Sequence, residues 1–326
     1  MGKDTLQDRA INLIKPLVPP DAEDRVKRSF KQWNQIVREH IRNETALRLS
    51  DGEGTYSVPV RIEDGFPVSL VTLINEYNDP VLWRLIIGQP KLGGMIEGLQ
   101  FLLGFWHEAE RWPHLPEVAK QGESHLGRSL DIANALQLVA LARKVRNELK
   151  EIREDILGAY HFGVNNGPRV ALYWLPIAMV AAMLDVRIED LTVVVLAHEL
   201  THGYTHVGRD IDGIQWDDRG FAETEAHIVE GLAQFYTEVV TEKLSARNPG
   251  PKDAYEKLLR IQRGPYLAHR TWLRKEPKHR GEAIRFAMVL ARHRQTCSRE
   301  SWATILTSTG ANLKSGEKQK KLFEEE

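Results

Sequence analysis

His198, Glu199 and His202, in the run HELTH, are the residues whose types and spacing carry the most specific chemistry in this chain. Side chains four apart on a helix stack on one face, so the two imidazoles can converge on one metal ion. Glu199, one position on, falls at the edge of that face. There its carboxylate reaches a water in an open coordination position instead of the ion. Two imidazoles, a third ligand and a carboxylate base are the parts of a zinc site that activates water for hydrolysis. The competing explanation is a core helix with two hydrogen-bonded histidines, because bare H-E-x-x-H also arises by chance. The flanks favour the site. Leu191, Val194, Val195 and Leu196 bring no charge, as a buried and rigid support requires, and Glu189 and Asp190 suit the positive end of the helix dipole.

A catalytic zinc takes three protein ligands and keeps a position for water, so a third ligand is expected after His202. His206 lies four residues on, a further turn along the same helix, too far to share an ion with His198. A capping or ligand-supporting role is expected of it. Asp210 and Asp212 fall in a Gly- and Asp-rich stretch and are expected to order a loop. A Glu from a following helix remains, and Glu223 and Glu230 are the candidates.

Residues 228–238, IVEGLAQFYTE, resemble the Asn-Glu-Gly-Phe-Ala-x-Tyr segment of aminopeptidase-N-like gluzincins. In that family the Glu of Glu-Gly is the third zinc ligand. By position the resemblance makes Glu230 the ligand and implies a zincin-like fold with Zn²⁺. Ala226 and Ala233 share a helix face with Glu230, and Gly231 adjoins it, as close approach of two helices to one ion requires. The sequence departs from the family in spacing: the gap from His202 to Glu230 is longer. Glu223 is nearer the spacing of thermolysin-like enzymes, and Glu223-Thr-Glu-Ala-His227 is similar to their second-helix motif. Glu230 is preferred, with Glu223, Glu225 and His227 read as a polar helix face. The resemblance covers residues 170–245. The family's Gly-x-Met-Glu-Asn segment, which binds a free α-amine, is absent, so aminopeptidase activity is not implied.

The chain must supply elements to hold these groups. Residues 1–50 read as helical, with a start signal at Pro19-Pro20-Asp21 and an apolar stripe of Phe30, Trp33, Ile36, Val37 and Ile41. Thr55–Ile62 alternates like a strand between Asp-Gly turns. Residues 68–90 and 94–110 are apolar and fit either helix or strand. The run Leu99–Trp106 is too short to span a bilayer. His107-Glu108 has Arg111 where a second ligand would stand, and is structural. Residues 113–127 read as a linker. Leu130–Leu157 reads as one amphipathic helix, with Ala133, Leu136, Val139, Leu141, Val145 and Leu149 inward, and residues 160–168 break it. Arg169–Ile177 reads as a strand whose open edge beside the site could pair with an extended peptide. Tyr173 and Trp174 within it are expected in the core. Phe221–Leu244 reads as the second site helix, followed by helices Ala254–Arg263 and Gly281–Arg294.

The expected fold class is α+β and mostly helical: a zincin-like domain with a small sheet ahead of the H-E-x-x-H helix. The expected division is an N-terminal region, 1–125, a metallohydrolase domain, 126–310, and a disordered charged tail, 311–326. A net charge of −1 implies no bulk attraction to nucleic acid or anionic membrane. A single cysteine, Cys297, rules out an internal disulfide and fits a cytoplasmic protein. The first residues lack the apolar core of a signal peptide, and Leu6 stands where myristoylation needs Ser or Thr.

The expected function is zinc-dependent hydrolysis of a peptide or other amide bond. His198, His202 and Glu230 would hold Zn²⁺, Glu199 would act as general base, and a peptide or protein would be the substrate. Tyr266 and His269 are candidates for the oxyanion partner. Two alternatives are a zincin-fold binding or scaffold protein without turnover, against which the intact Glu199 argues, and a regulatory protease dedicated to one partner.

Overall fold

The computed structural model describes residues 5–49, 58–88, 124, 127–128, 138–151, 156–163, 167–272, 279–293 and 296–324. Among them the protein is mostly helical with one three-stranded sheet, in keeping with the expected α+β class. The features expected at Thr55–Ser57, in residues 94–110, including Leu99–Trp106 and His107-Glu108, at Ala133 and Leu136, and in most of the linker 113–127 lie outside the described residues.

The motif helix, Ile188–Val207, runs through the centre and is buried along almost its whole length. Its apolar residues face every direction, so it has no solvent side and must be enclosed. Its threonines fit because Thr192, Thr201 and Thr205 each donate to the carbonyl four residues back, at 2.7, 2.7 and 2.9 Å. A long N-terminal helix, Ala22–Thr45, packs along it and is fastened at both ends. Arg25 forms two 2.8 Å bonds with Glu189, Ser29 donates to the Glu189 carbonyl, and Tyr204 donates to the carbonyl of Arg38 at 3.1 Å. Val26, Val37 and Ile41 face inward, whereas Ile36 from the expected stripe is exposed.

Strand β1, Val60–Glu63, pairs parallel with β3, Arg169–Tyr173, and β2, Gly158–His161, pairs antiparallel with β3 on its other side. Within the expected N-terminal region, the described β1 and Ala22–Thr45 helix belong to the sheet and core that hold the motif helix. A linear pattern could not reveal this, because the parallel pairing joins segments about a hundred positions apart.

Several local expectations change. Central β3 has Val170, Ala171 and Leu172 fully buried, and Trp174–Leu184 is a helix instead of the strand's continuation, with Pro176 tolerated in its first turn. Among the described residues the sheet edge beside the motif helix therefore belongs to β2, within a stretch expected to end a helix and form a break. Four residues are too few to show alternation. Trp174 is in the core, as expected, and its indole donates to Asp64. The helix preceding β2 spans Leu138–Glu151, with Ala142, Val145 and Leu149 inward and Leu141 exposed.

The expected Phe221–Leu244 helix is two helices, Asp218–Glu223 and the ligand helix Ala226–Ser245. Thr224 and Glu225 between them are extended, held by hydrogen bonds between Thr224 Oγ1 and the Gly220 carbonyl and between Glu225 N and the Cys297 carbonyl. Further helices span Gly250–Ile261 and Arg280–Arg292, with a 3-10 segment at Gly264–Thr271. The last helix, Arg299–Glu324, continues through the segment expected to be a disordered tail. Lys, Gln and Glu are good helix formers, and Trp302, Ile305 and Leu306 anchor its first turns in the core. No helix among the described residues is long and apolar enough to cross a membrane.

Candidate metal centre

The motif helix and the ligand helix face each other across His198, His202 and Glu230. His198 Nε2 lies 3.2 Å from Glu230 Oε2 and 3.2 Å from His202 Nε2, and His202 Nε2 lies 3.6 Å from Glu230 Oε2. Zinc–ligand bonds of about 2.0–2.1 Å at tetrahedral angles put neighbouring donors about 3.3 Å apart. The three atoms thus already form one face of such a tetrahedron. Both histidines are buried, their rings nearly perpendicular at 85°, and these three residues form a group able to hold a metal ion.

The charges fit a cation at this point. Burial pushes the Glu230 carboxyl up, but the His202 and His198 imidazoles pull it down further, well below the usual carboxylate range. Burial opposes protonation of His202, yet Glu230 outweighs it and raises the imidazole's pKa. An ionised carboxylate facing two imidazole nitrogens in a buried site is a donor set in which a divalent ion can take the place of the imidazole proton.

Glu199 is buried beside these three side chains. The start of β2 lies directly over it: a Cβ on Gly158 would stand 2.8 Å from Glu199 Cγ and 3.0 Å from Oε1. Only a residue without a side chain lets the strand pass so near. A cavity of about 640 Å³ opens from this point, lined by His198, Glu199 and Glu230 and by apolar residues including Leu149, Val180, Met183 and Leu258. His227 and Tyr266 also line it, and the Tyr266 ring lies 6.0 Å from that of His198.

The other sequence candidates are elsewhere. Glu223 is exposed and pairs with Arg219 at 2.7 Å. Glu225 accepts from Arg299 N at 3.1 Å. Asp210 orders its loop by accepting from Asp212 N at 3.0 Å and Ile214 N at 2.8 Å, while Asp212 itself is exposed. His269 is fully buried against Tyr255 at 3.2 Å, away from the cavity lining.

Gly231 has a different task from the expected one. A Cβ there would meet Trp272 Cζ2 at 2.5 Å, so the missing side chain admits Trp272 and the 3-10 segment that carries Tyr266. Gly158 and Tyr160 escaped the sequence reading because neither sits in a motif.

Comparison with protein-family models, curated proteins and solved structures gives no match.

Proposed function

We propose that this chain is a zinc metallopeptidase of gluzincin type with a zincin-like fold. The observation that carries this reading is the donor triangle of His198, His202 and Glu230 with Glu199 buried beside it. Two imidazoles and one carboxylate favour Zn²⁺ over hard ions such as Mg²⁺. Zinc bound there supplies a Lewis acid and a water of lowered pKa.

Glu199 is the general base: its carboxylate takes a proton from the attacking water and passes it to the leaving amide nitrogen. The Tyr266 phenol is the candidate donor to the developing oxyanion. The outer edge of β2, unpaired among the described residues, offers backbone hydrogen bonds to an extended peptide, and Gly158 brings that strand close to Glu199. The apolar wall of Leu149, Val180, Met183 and Leu258 suits a bulky apolar side chain next to the bond cleaved.

The test combines metal analysis of the purified protein with a screen of unstructured peptides. About one zinc per chain and cleavage at apolar positions is the expected result. No transition metal after reconstitution refutes the reading. Zinc without cleavage of any peptide points to the scaffold or the single-partner protease.

A further inference from the structure

His206 is the third histidine at helical spacing in this helix, and the metal centre leaves it unused. It is fully buried and has a polar partner at each ring nitrogen. Its Nε2 lies 3.1 Å from Asp218 Oδ1, and its Nδ1 lies 2.9 Å from the hydroxyl of Tyr160. The Asp218 carboxylate is within ion-pair distance of Nε2 without a well-aligned hydrogen bond, and its charge favours the hydrogen on that nitrogen. In a neutral imidazole Nδ1 is then the acceptor, and Tyr160 donates to it. The far end of this line faces a ligand: the Tyr160 ring lies nearly parallel to that of His202, at 18° and 6.3 Å between centroids. Phe221, from the same short helix as Asp218, stacks on His206 at 4.4 Å. Gly203, next to His202, admits Val58, since a Cβ there would stand 3.1 Å from Val58 Cγ1, and the Tyr160 ring lies just beyond, at 3.5 Å.

We propose that Asp218, His206 and Tyr160 form a positioning line that holds the Tyr160 ring against His202 and fixes the orientation of that imidazole. The inference rests on the metal centre proposed above. It gives the short helix Asp218–Glu223 a role, as the element that sets the outer end of the line. Groups that hold a metal ligand from behind typically change metal affinity by about 10–100-fold when removed.

The test uses cobalt in place of zinc, because its visible spectrum reports ligand geometry. Wild type, Tyr160→Leu, Asp218→Ala and Asp218→Asn are titrated with Co²⁺ and then with Zn²⁺. Tyr160→Leu and Asp218→Ala are expected to shift the cobalt bands and weaken zinc about 10–100-fold. Asp218→Asn, whose amide oxygen still faces Nε2, is expected to restore the wild-type spectrum. Asp218 is 59% exposed, so its variants keep the fold if Tyr160→Leu does not. Cobalt bound by Tyr160→Leu and Asp218→Ala with the wild-type spectrum and affinity overturns this inference alone, as does an Asn variant indistinguishable from Ala. Failure of wild type to bind either metal overturns the metal centre, and this inference with it.

Discussion

Gly158 and Glu199 are in contact in a way that only glycine permits: a Cβ at position 158 would lie 2.8 Å from Glu199 Cγ. Gly158→Ala must move either the carboxylate or the strand. Displacing a catalytic group by about 1 Å can cost about 10²-fold in rate. Steady-state kinetics with metal content measured in parallel should show kcat falling by about that factor with zinc retained. Wild-type kcat in the alanine variant would separate Gly158 from the working position of Glu199.

Glu199→Gln keeps the shape of the side chain but cannot take a proton at neutral pH. Zinc should be retained and turnover lost by several orders of magnitude, about 10²–10⁴-fold from the general base alone. Equal activity in the variant removes Glu199 from the mechanism.

Glu230→Ala leaves two protein ligands, and zinc affinity should fall steeply, because the site loses both a charge and its third point of geometry. Glu223→Ala removes an exposed partner of Arg219 and should leave affinity unchanged. Zinc titration of both variants decides between them. Metal loss in Glu223→Ala with Glu230→Ala intact would reverse the assignment.

Gly231→Ala drives a methyl group into Trp272, which is buried. Overpacking of this kind costs about 1–3 kcal/mol. The same displacement moves the segment bearing Tyr266, so kcat should fall at temperatures where the variant is still folded. Thermal melts and kinetics on one preparation check both parts, and a melt equal to wild type would show that Trp272 yields freely.

Acid should loosen this fold through two buried histidines. Burial lowers the pKa of His206 to about 4 against the pull of Asp218, and lowers that of His269 to about 4 with help from Arg280 and Arg270. An unfolded histidine takes its proton near pH 6.5, so their contribution is complete above about 6.5 and is lost as pH falls toward 4. Each can account for up to about 3 kcal/mol. Melts of wild type and His269→Gln from pH 7.5 to 4.5 should show a steeper loss in wild type. Parallel curves would mean that His269 takes up its proton without unfolding cost.

His198, Glu199 and His202 were legible in the sequence because helical periodicity alone sets their relation. Once residues 188–207 are helical, two imidazoles four positions apart share a face whatever surrounds them. The mostly helical class and the burial of the motif helix followed from the same apolar patterning. Long-range relations were not legible. Glu230 lies 32 residues from His198 and on another helix. Whether it or Glu223 joins His198 and His202 depends on the break at Thr224-Glu225, which hydrogen bonds to Gly220 and Cys297 hold open. Strand β2 was hidden because four residues carry no period, yet its pairing with β3 sets Gly158 over Glu199 and Tyr160 beside His202. The sequence determined which groups can do chemistry, since that is covalent and local. The tertiary structure decided which of them meet, because contacts between distant segments are chosen by how the whole core packs.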